Sequence, residues 1–166
     1  MSEYTTVFGS LDHYEKGRLE IIDDDPRHYA FSNVFEVASQ AQPYEKIAVA
    51  KNLEYVVEVI RTEGTSDWFT CAHDEFAVVL DGQVEIHLVK LDDPRSLLAA
   101  DTYGAVRVPG TPVGRKMGWM KLRRGHQALL PGGAAYQFVA EQAGVILLQT
   151  LKGALTIEKW ADICQA

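Results

Sequence analysis

Cysteine is scarce in this chain: 166 residues carry two, Cys71 and Cys164. Two thiols without framework spacing exclude a disulfide-stapled secreted module and suit a reducing cytosol. Long apolar runs are also missing. None approaches the ~20 residues that a membrane span requires. The N-terminal Met-Ser-Glu-Tyr-Thr-Thr-Val has neither the basic nor the apolar region of a secretory signal, so the expected location is the cytoplasm, with no membrane partner. Internal repeats and low-complexity tracts are absent. Acidic residues are absent between Asp101 and Glu141, a stretch that holds Arg107, Arg115, Lys116, Lys121, Arg123 and Arg124 in a chain of net charge −7. The acidic pI of about 5.2 and the lack of an aromatic stacking platform or helix-turn-helix pattern argue against nucleic acid as the partner of this basic stretch. A solvated loop and a protein interface remain.

What is present is an ordinary globular composition, 47% hydrophobic and 23% charged. The length suits one domain, which buries roughly 70% of its unfolded surface and needs no staples. The first 45 residues are irregular, with a turn signal at Asp23-Asp24-Asp25-Pro26. From Lys46 the pattern turns β. Leu53 to Ile60 is rich in Val with interleaved Glu54 and Glu58. Phe76 to Leu80 and Val84 to Leu91 flank Asp81-Gly82, a hairpin signal because Asp-Gly supplies positive φ. Residues 92–113 form a long excursion of the kind that is usually functional or interfacial. Strand patterns resume at Lys116–Leu122, Ala128–Leu130, Tyr136–Val139 and Val145–Leu151. Thr156 to Cys164 reads as a short helix capped by Thr156, with Ile157, Trp160, Ala161 and Cys164 on one stripe. The predicted fold is all-β and mainly antiparallel: a single β-barrel or jelly roll. Residues 1–45 are expected as an N-terminal extension packing on barrel or partner, and 46–166 as the barrel with its C-terminal helix.

Two segments carry spacing of a more specific kind. Residues 69–82 hold Glu75 and Gly82 in an E(X)6G arrangement. Residues 125–136 hold Gly125, Pro131 and Gly133 as G(X)5PXG. Both resemble the two signature motifs of the cupin superfamily, and the resemblance covers roughly Val57 to Leu151. The family's metal-binding histidines are replaced. Phe69 and Cys71 stand at the paired-histidine positions with the shorter spacing, Trp68 and Thr70 with the longer one. Tyr136 replaces the last histidine and Ala140 the asparagine, so Glu75 alone remains of the four usual ligands.

The residues at these positions support several chemistries. Fe(II) or Zn(II) needs several imidazole, carboxylate or thiolate donors at one point. Cys71, His73 and Glu75 share one side of a regular strand, with Tyr136 as a fourth candidate. Phe69 in the same pocket would fill the space of an ion and its water. A packed core is the plain alternative, with Cys71 as a buried hydrophobe and Glu75 requiring a partner in Tyr136, His73 or an arginine. A third option is a stand-alone metal-independent lyase or isomerase using Glu75 with His73 or Tyr136 as an acid–base pair. A fourth is a non-catalytic small-molecule-binding cupin. His87 and His126 read as solvated, Trp119 and Trp160 as packing residues, and Trp68 as core or pocket edge.

Several further runs narrow the family: Phe31 to Ala38, Lys51 to Tyr55, Trp68 to Phe76, Gly114 to Trp119 and Glu158 to Cys164. With the length, they resemble the small subunit of two-component hydroquinone 1,2-dioxygenases. That resemblance implies a heterotetramer of two small and two large cupin-like subunits. The large subunit holds Fe(II) on histidine, carboxylate and amide ligands, and the small one holds no metal. The reaction opens hydroquinone with O2 to 4-hydroxymuconic semialdehyde, in aerobic breakdown of 4-nitrophenol, 4-hydroxyacetophenone and related phenols. Under it, Tyr29, Phe31, Val34 and Phe35 would supply an apolar interface to the larger catalytic subunit. The basic stretch would meet acidic groups there, and Trp68 would be lent to the neighbour's phenolic substrate.

Overall fold

Strict alternation of apolar residues along the strands gives each strand two faces, and both faces are used. The computed structural model describes residues 9–31 and 33–159. In chain order its elements are β1 (Leu19–Ile21), β2 (His28–Phe31), the helix α1 (Val34–Gln40), β3 (Lys46–Asn52), β4 (Tyr55–Thr65), β5 (Phe69–Cys71), β6 (Glu75–Asp81), β7 (Gln83–Leu91), β8 (Ala105–Arg107), β9 (Gly114–Arg123), β10 (Gln127–Leu130), β11 (Ala134–Leu151) and β12 (Thr156–Ile157). The 18-residue β11 is the hinge of the architecture. Its first part pairs with β5 and β7, and its second part with β4 and β6. One sheet runs β1-β2-β3-β4-β11-β6-β10, the other β9-β7-β11-β5-β8. The pairings are antiparallel except β12, which lies parallel to β3. This is the expected all-β jelly roll. No helix among the described residues is long and apolar enough to cross a membrane.

Asp81-Gly82 does not make the predicted hairpin. Among the described pairings β6 bonds to β10 and β11, and β7 to β9 and β11. The turn is instead a corner that carries one bent strand from the first sheet to the second. Gly82 has φ +71, and a Cβ there would lie 2.9 Å from Gly144 Cα. Gly144 sits at the register shift where β11 itself bends. Positive φ serves a sheet crossing as well as a hairpin, so local sequence does not separate them. The real hairpin that the pattern reading missed joins β3 to β4, with Leu53 at φ +59 in its turn.

The N-terminal part is more regular than its composition suggests. β1 and β2 add successively to β3, and Asn33 caps α1 by accepting from Phe35 N. Tyr29, Phe31 and Val37 are buried with Ile47, Val49 and Val59 on the outer face of the larger sheet, and Val34 and Phe35 pack against them. The apolar interface expected from Tyr29, Phe31, Val34 and Phe35 is therefore spent on the chain's own core. The C-terminal helix is also corrected. Thr156–Ile157 is a strand, because the Thr156 hydroxyl donates to Glu58 Oε1 at 2.6 Å and accepts from Gly153 N, which holds the tail extended along β3. The rest of the expected helix, Trp160 to Cys164, lies outside the described residues.

Candidate functional site

Between the two sheets an apolar lining of Ile60, Val79, Ile86, Leu130, Phe138 and Leu148 encloses a polar centre. Glu75 opens β6 and points inward, 0% exposed. Its Oε2 accepts from Tyr136 OH at 2.7 Å and its Oε1 from Thr150 Oγ1 at 2.7 Å. Phe69 lies against Tyr136 with ring centroids 5.8 Å apart. Two motif loops hold this arrangement: Gly133 N donates to Cys71 O at 2.7 Å and Gly132 N to Asp74 Oδ1 at 2.9 Å. Four of the five residues expected in the degenerate pocket, Phe69, Cys71, Glu75 and Tyr136, are thus adjoining and buried.

His73 is the exception. β5 ends at Cys71 and β6 begins at Glu75, so His73 stands in a bend where strand alternation does not apply. Its Nδ1 faces Asp74 O at 2.9 Å, and its buried Nε2 has no hydrogen-bond partner among the described residues. A Glu75–His73 acid–base pair is not formed.

Sequence reasoning missed Thr150, 5% exposed, and the pair Lys46 and Glu58, only 3% and 2% exposed. Lys46 Nζ lies 3.9 Å from Glu58 Oε2 and 3.4 Å from Tyr136 OH, to which it donates. It stands 4.8 Å from the Phe69 ring centroid and 5.7 Å from that of Tyr136, within cation–π range. Glu58 appears in sequence as one of two polar residues interrupting a valine-rich strand. Its position two residues before the inward-facing Ile60 was the available signal, since residues i and i+2 share a face.

Burial sets the acid–base character of the cluster. It pushes the Cys71 thiol up to about 12, raises Glu58 against the opposing pull of Lys46, and holds Tyr136 well above the usual phenol range, with Glu75 adding to the effect. These groups suit a divalent metal poorly. Its ligands must be deprotonated, whereas this thiol and phenol are held protonated, both Glu75 oxygens already accept hydrogen bonds, and an ammonium occupies the neighbourhood. Among the described residues no group of three or more His, Cys, Asp and Glu is placed to hold a metal ion.

The outer face of the smaller sheet presents a second feature. Trp68 points away from the barrel interior. It packs with Val89, Leu91, Val108 and Ala135 beneath the 92–113 excursion, and Val108 N donates to its carbonyl at 2.8 Å. With His87, Pro112, Lys116 and Trp119 it lines a cleft of about 340 Å³. Trp119, expected to be a packing residue, is 60% exposed and stacks on His87, centroids 6.2 Å apart.

No protein-family model matches the sequence, and no curated protein does. Solved structures do. A hydroquinone 1,2-dioxygenase chain from Sphingomonas sp. TTNP3, with 4-hydroxybenzoate bound, is 57% identical over 99% of both chains, with a TM-score of 0.87. The chain belongs to the hydroquinone 1,2-dioxygenase family. A chain of the hydroquinone 1,2-dioxygenase PnpCD, in complex with Cd2+ and 4-hydroxybenzonitrile, is 54% identical over 98% of this chain and 97% of that one, with a TM-score of 0.84. A different PnpCD chain, from a complex with Fe3+, shares the fold at a TM-score of 0.56 and 11% identity. That match covers 75% of this chain but 32% of the other. The hydroquinone 1,2-dioxygenase structures accordingly hold chains of this size and a longer chain of the same fold.

Proposed function

We propose that this chain is the metal-free small subunit of a cytoplasmic Fe(II)-dependent dioxygenase that converts hydroquinone and O2 to 4-hydroxymuconic semialdehyde. In this reading a larger cupin chain holds the iron, in an assembly of two small and two large subunits. The observation that carries it is the filled barrel centre: Glu75, at a cupin ligand position, is committed to Tyr136 and Thr150, with Lys46 alongside. No step on iron is assigned to residues of this chain. The iron would activate O2 and the bound phenol in the partner. The presence of a long and a short chain among family structures supports the division of labour.

The chain's own contribution is a surface. Arg107, Lys121 and Arg124 are tied to Asp67, Glu85 and Asp81. Arg115 and Lys116 on β9 are exposed, beside the exposed apolar side chains of Val113, Met117 and Trp119. An apolar patch rimmed by charge is the composition of a protein interface. Trp68, at the floor of the cleft in this region, is assigned to cover the phenolic substrate of the neighbouring subunit.

Two experiments test the proposal. The chain purified alone is expected to carry no iron by metal assay and to produce no semialdehyde, while co-expression with the larger cupin yields both. Ring cleavage by the isolated chain at the rate of the complex would overturn it. In the assembled enzyme, Trp68→Ala is expected to raise KM by about 2- to 10-fold, the loss of one aromatic contact, with the assembly intact in size-exclusion chromatography. A fall in stability with unchanged KM would return Trp68 to a packing role.

A further inference from the structure

Lys46 is 97% removed from solvent, yet among the described residues its ammonium has only one hydrogen bond, at 3.4 Å, and one carboxylate, at 3.9 Å. Good N–H···O bonds fall at about 2.7–3.2 Å, and an ammonium has three donors to place. The same side chain forms part of the wall of a cleft of about 420 Å³ at the barrel mouth, within the range of about 300–1,000 Å³ typical of small-molecule sites. Phe69, Tyr44, Leu155 and Ile157 give that mouth apolar walls. Its acidic rim is already neutralised within the chain: Glu45 by Lys159, Glu63 by Arg61 and Asp67 by Arg107, each at 3.0 Å. Among the described residues Lys46 is the cation of this mouth whose carboxylate partner, Glu58 at 3.9 Å, stands beyond hydrogen-bond distance.

We infer that the barrel mouth binds a small aromatic monocarboxylate, its carboxylate on Lys46 Nζ and its ring between Phe69 and Tyr44. One anionic oxygen at normal hydrogen-bond distance would take up a further donor of Lys46, and the flat walls accept a ring. A dianion such as phosphate would meet one cation among paired acids and is disfavoured. The site lies inside the barrel, on the opposite side of its wall from the Trp68 cleft, and does not depend on the subunit reading. The Thr156–Ile157 tail strand, with Leu155 beside it, forms one wall of the entrance.

The test is calorimetric titration of the full chain with benzoate, and with benzamide as its neutral isostere. Saturable benzoate binding at least tenfold tighter than benzamide is expected. Lys46→Met combined with Glu58→Gln, which leaves no unpaired carboxylate, is expected to abolish it. Leu155→Trp, which fills the entrance and leaves Lys46 untouched, is expected to weaken it at least tenfold. Circular dichroism establishes that both variants are folded. Absence of saturation in the parent chain, equal binding of benzamide, or retention of affinity in either folded variant overturns the site.

Discussion

Replacing Lys46 by methionine is expected to lower the unfolding free energy by about 3–5 kcal/mol at pH 8, the cost of breaking a buried ion pair and leaving one partner unpaired. Against a typical total of about 5–15 kcal/mol, this is a large effect for one residue. The charge left behind is Glu58, 2% exposed, with only Thr156 donating to it among the described hydrogen bonds. The loss is pH-dependent. Burial already raises Glu58 from its ordinary value of 4.5 while Lys46 pulls it down, so removing Lys46 raises it further. A carboxyl whose folded pKa is raised contributes stability below its unfolded pKa, where both states are protonated. That contribution is lost as pH climbs towards the folded value. The Lys46→Met penalty should accordingly shrink at pH 5, and Glu58→Gln added to Lys46→Met should recover most of it at pH 8. Urea unfolding at the two pH values reads both effects. An equal penalty at pH 5 and 8, without recovery in the double variant, would show that Lys46 stabilises through packing alone.

The second large effect is loss of stability in alkali. Among the described groups that lose a proton in alkali, burial raises Cys71 from 9.0 to about 12, Tyr44 from 10.0 to about 12, and Tyr29 and Tyr136 above the usual phenol range. As pH passes 9 to 10 the unfolded chain releases these protons while the folded chain keeps them. The unfolded state then binds fewer protons, and the slope of stability with pH is negative. The contribution is fully present below pH 9 and is lost from there towards pH 12. At about 1.4 kcal/mol per pH unit per group, Cys71 alone accounts for ~2–3 kcal/mol by pH 11. The urea midpoint is expected to fall continuously above pH 9, and Cys71→Ala is expected to flatten the fall. A midpoint unchanged to pH 11 would show that these side chains ionise freely in the folded chain.

Much of the site was legible in the sequence because the motif positions are turns and corners. Gly82 and Gly133 have positive φ, and the E(X)6G and PXG spacings place their neighbours around one interior. Phe69, Cys71, Glu75 and Tyr136 could thus be assigned to one pocket before any coordinates. His73 failed for a local reason: alternation assumed a continuous strand, and the chain bends between β5 and β6. The Asp81-Gly82 hairpin failed for a global one. The turn's conformation is local, but whether the strands on either side pair with each other depends on β11, more than 50 residues downstream.

By itself, the sequence determined the strand periodicity, the jelly-roll class, the replacement of the metal-binding histidines and the family, since these rest on residue identity at fixed spacing. Only the tertiary structure decided what occupies the barrel centre. Lys46, Glu58, Glu75, Tyr136 and Thr150 are drawn from four strands, and a buried charge pair leaves no short-range pattern because its members are neighbours in space alone. The same holds for Trp68 and Phe69. They are adjacent in the chain but on opposite faces of the wall, so one is offered to the outside while the other closes the interior around Lys46.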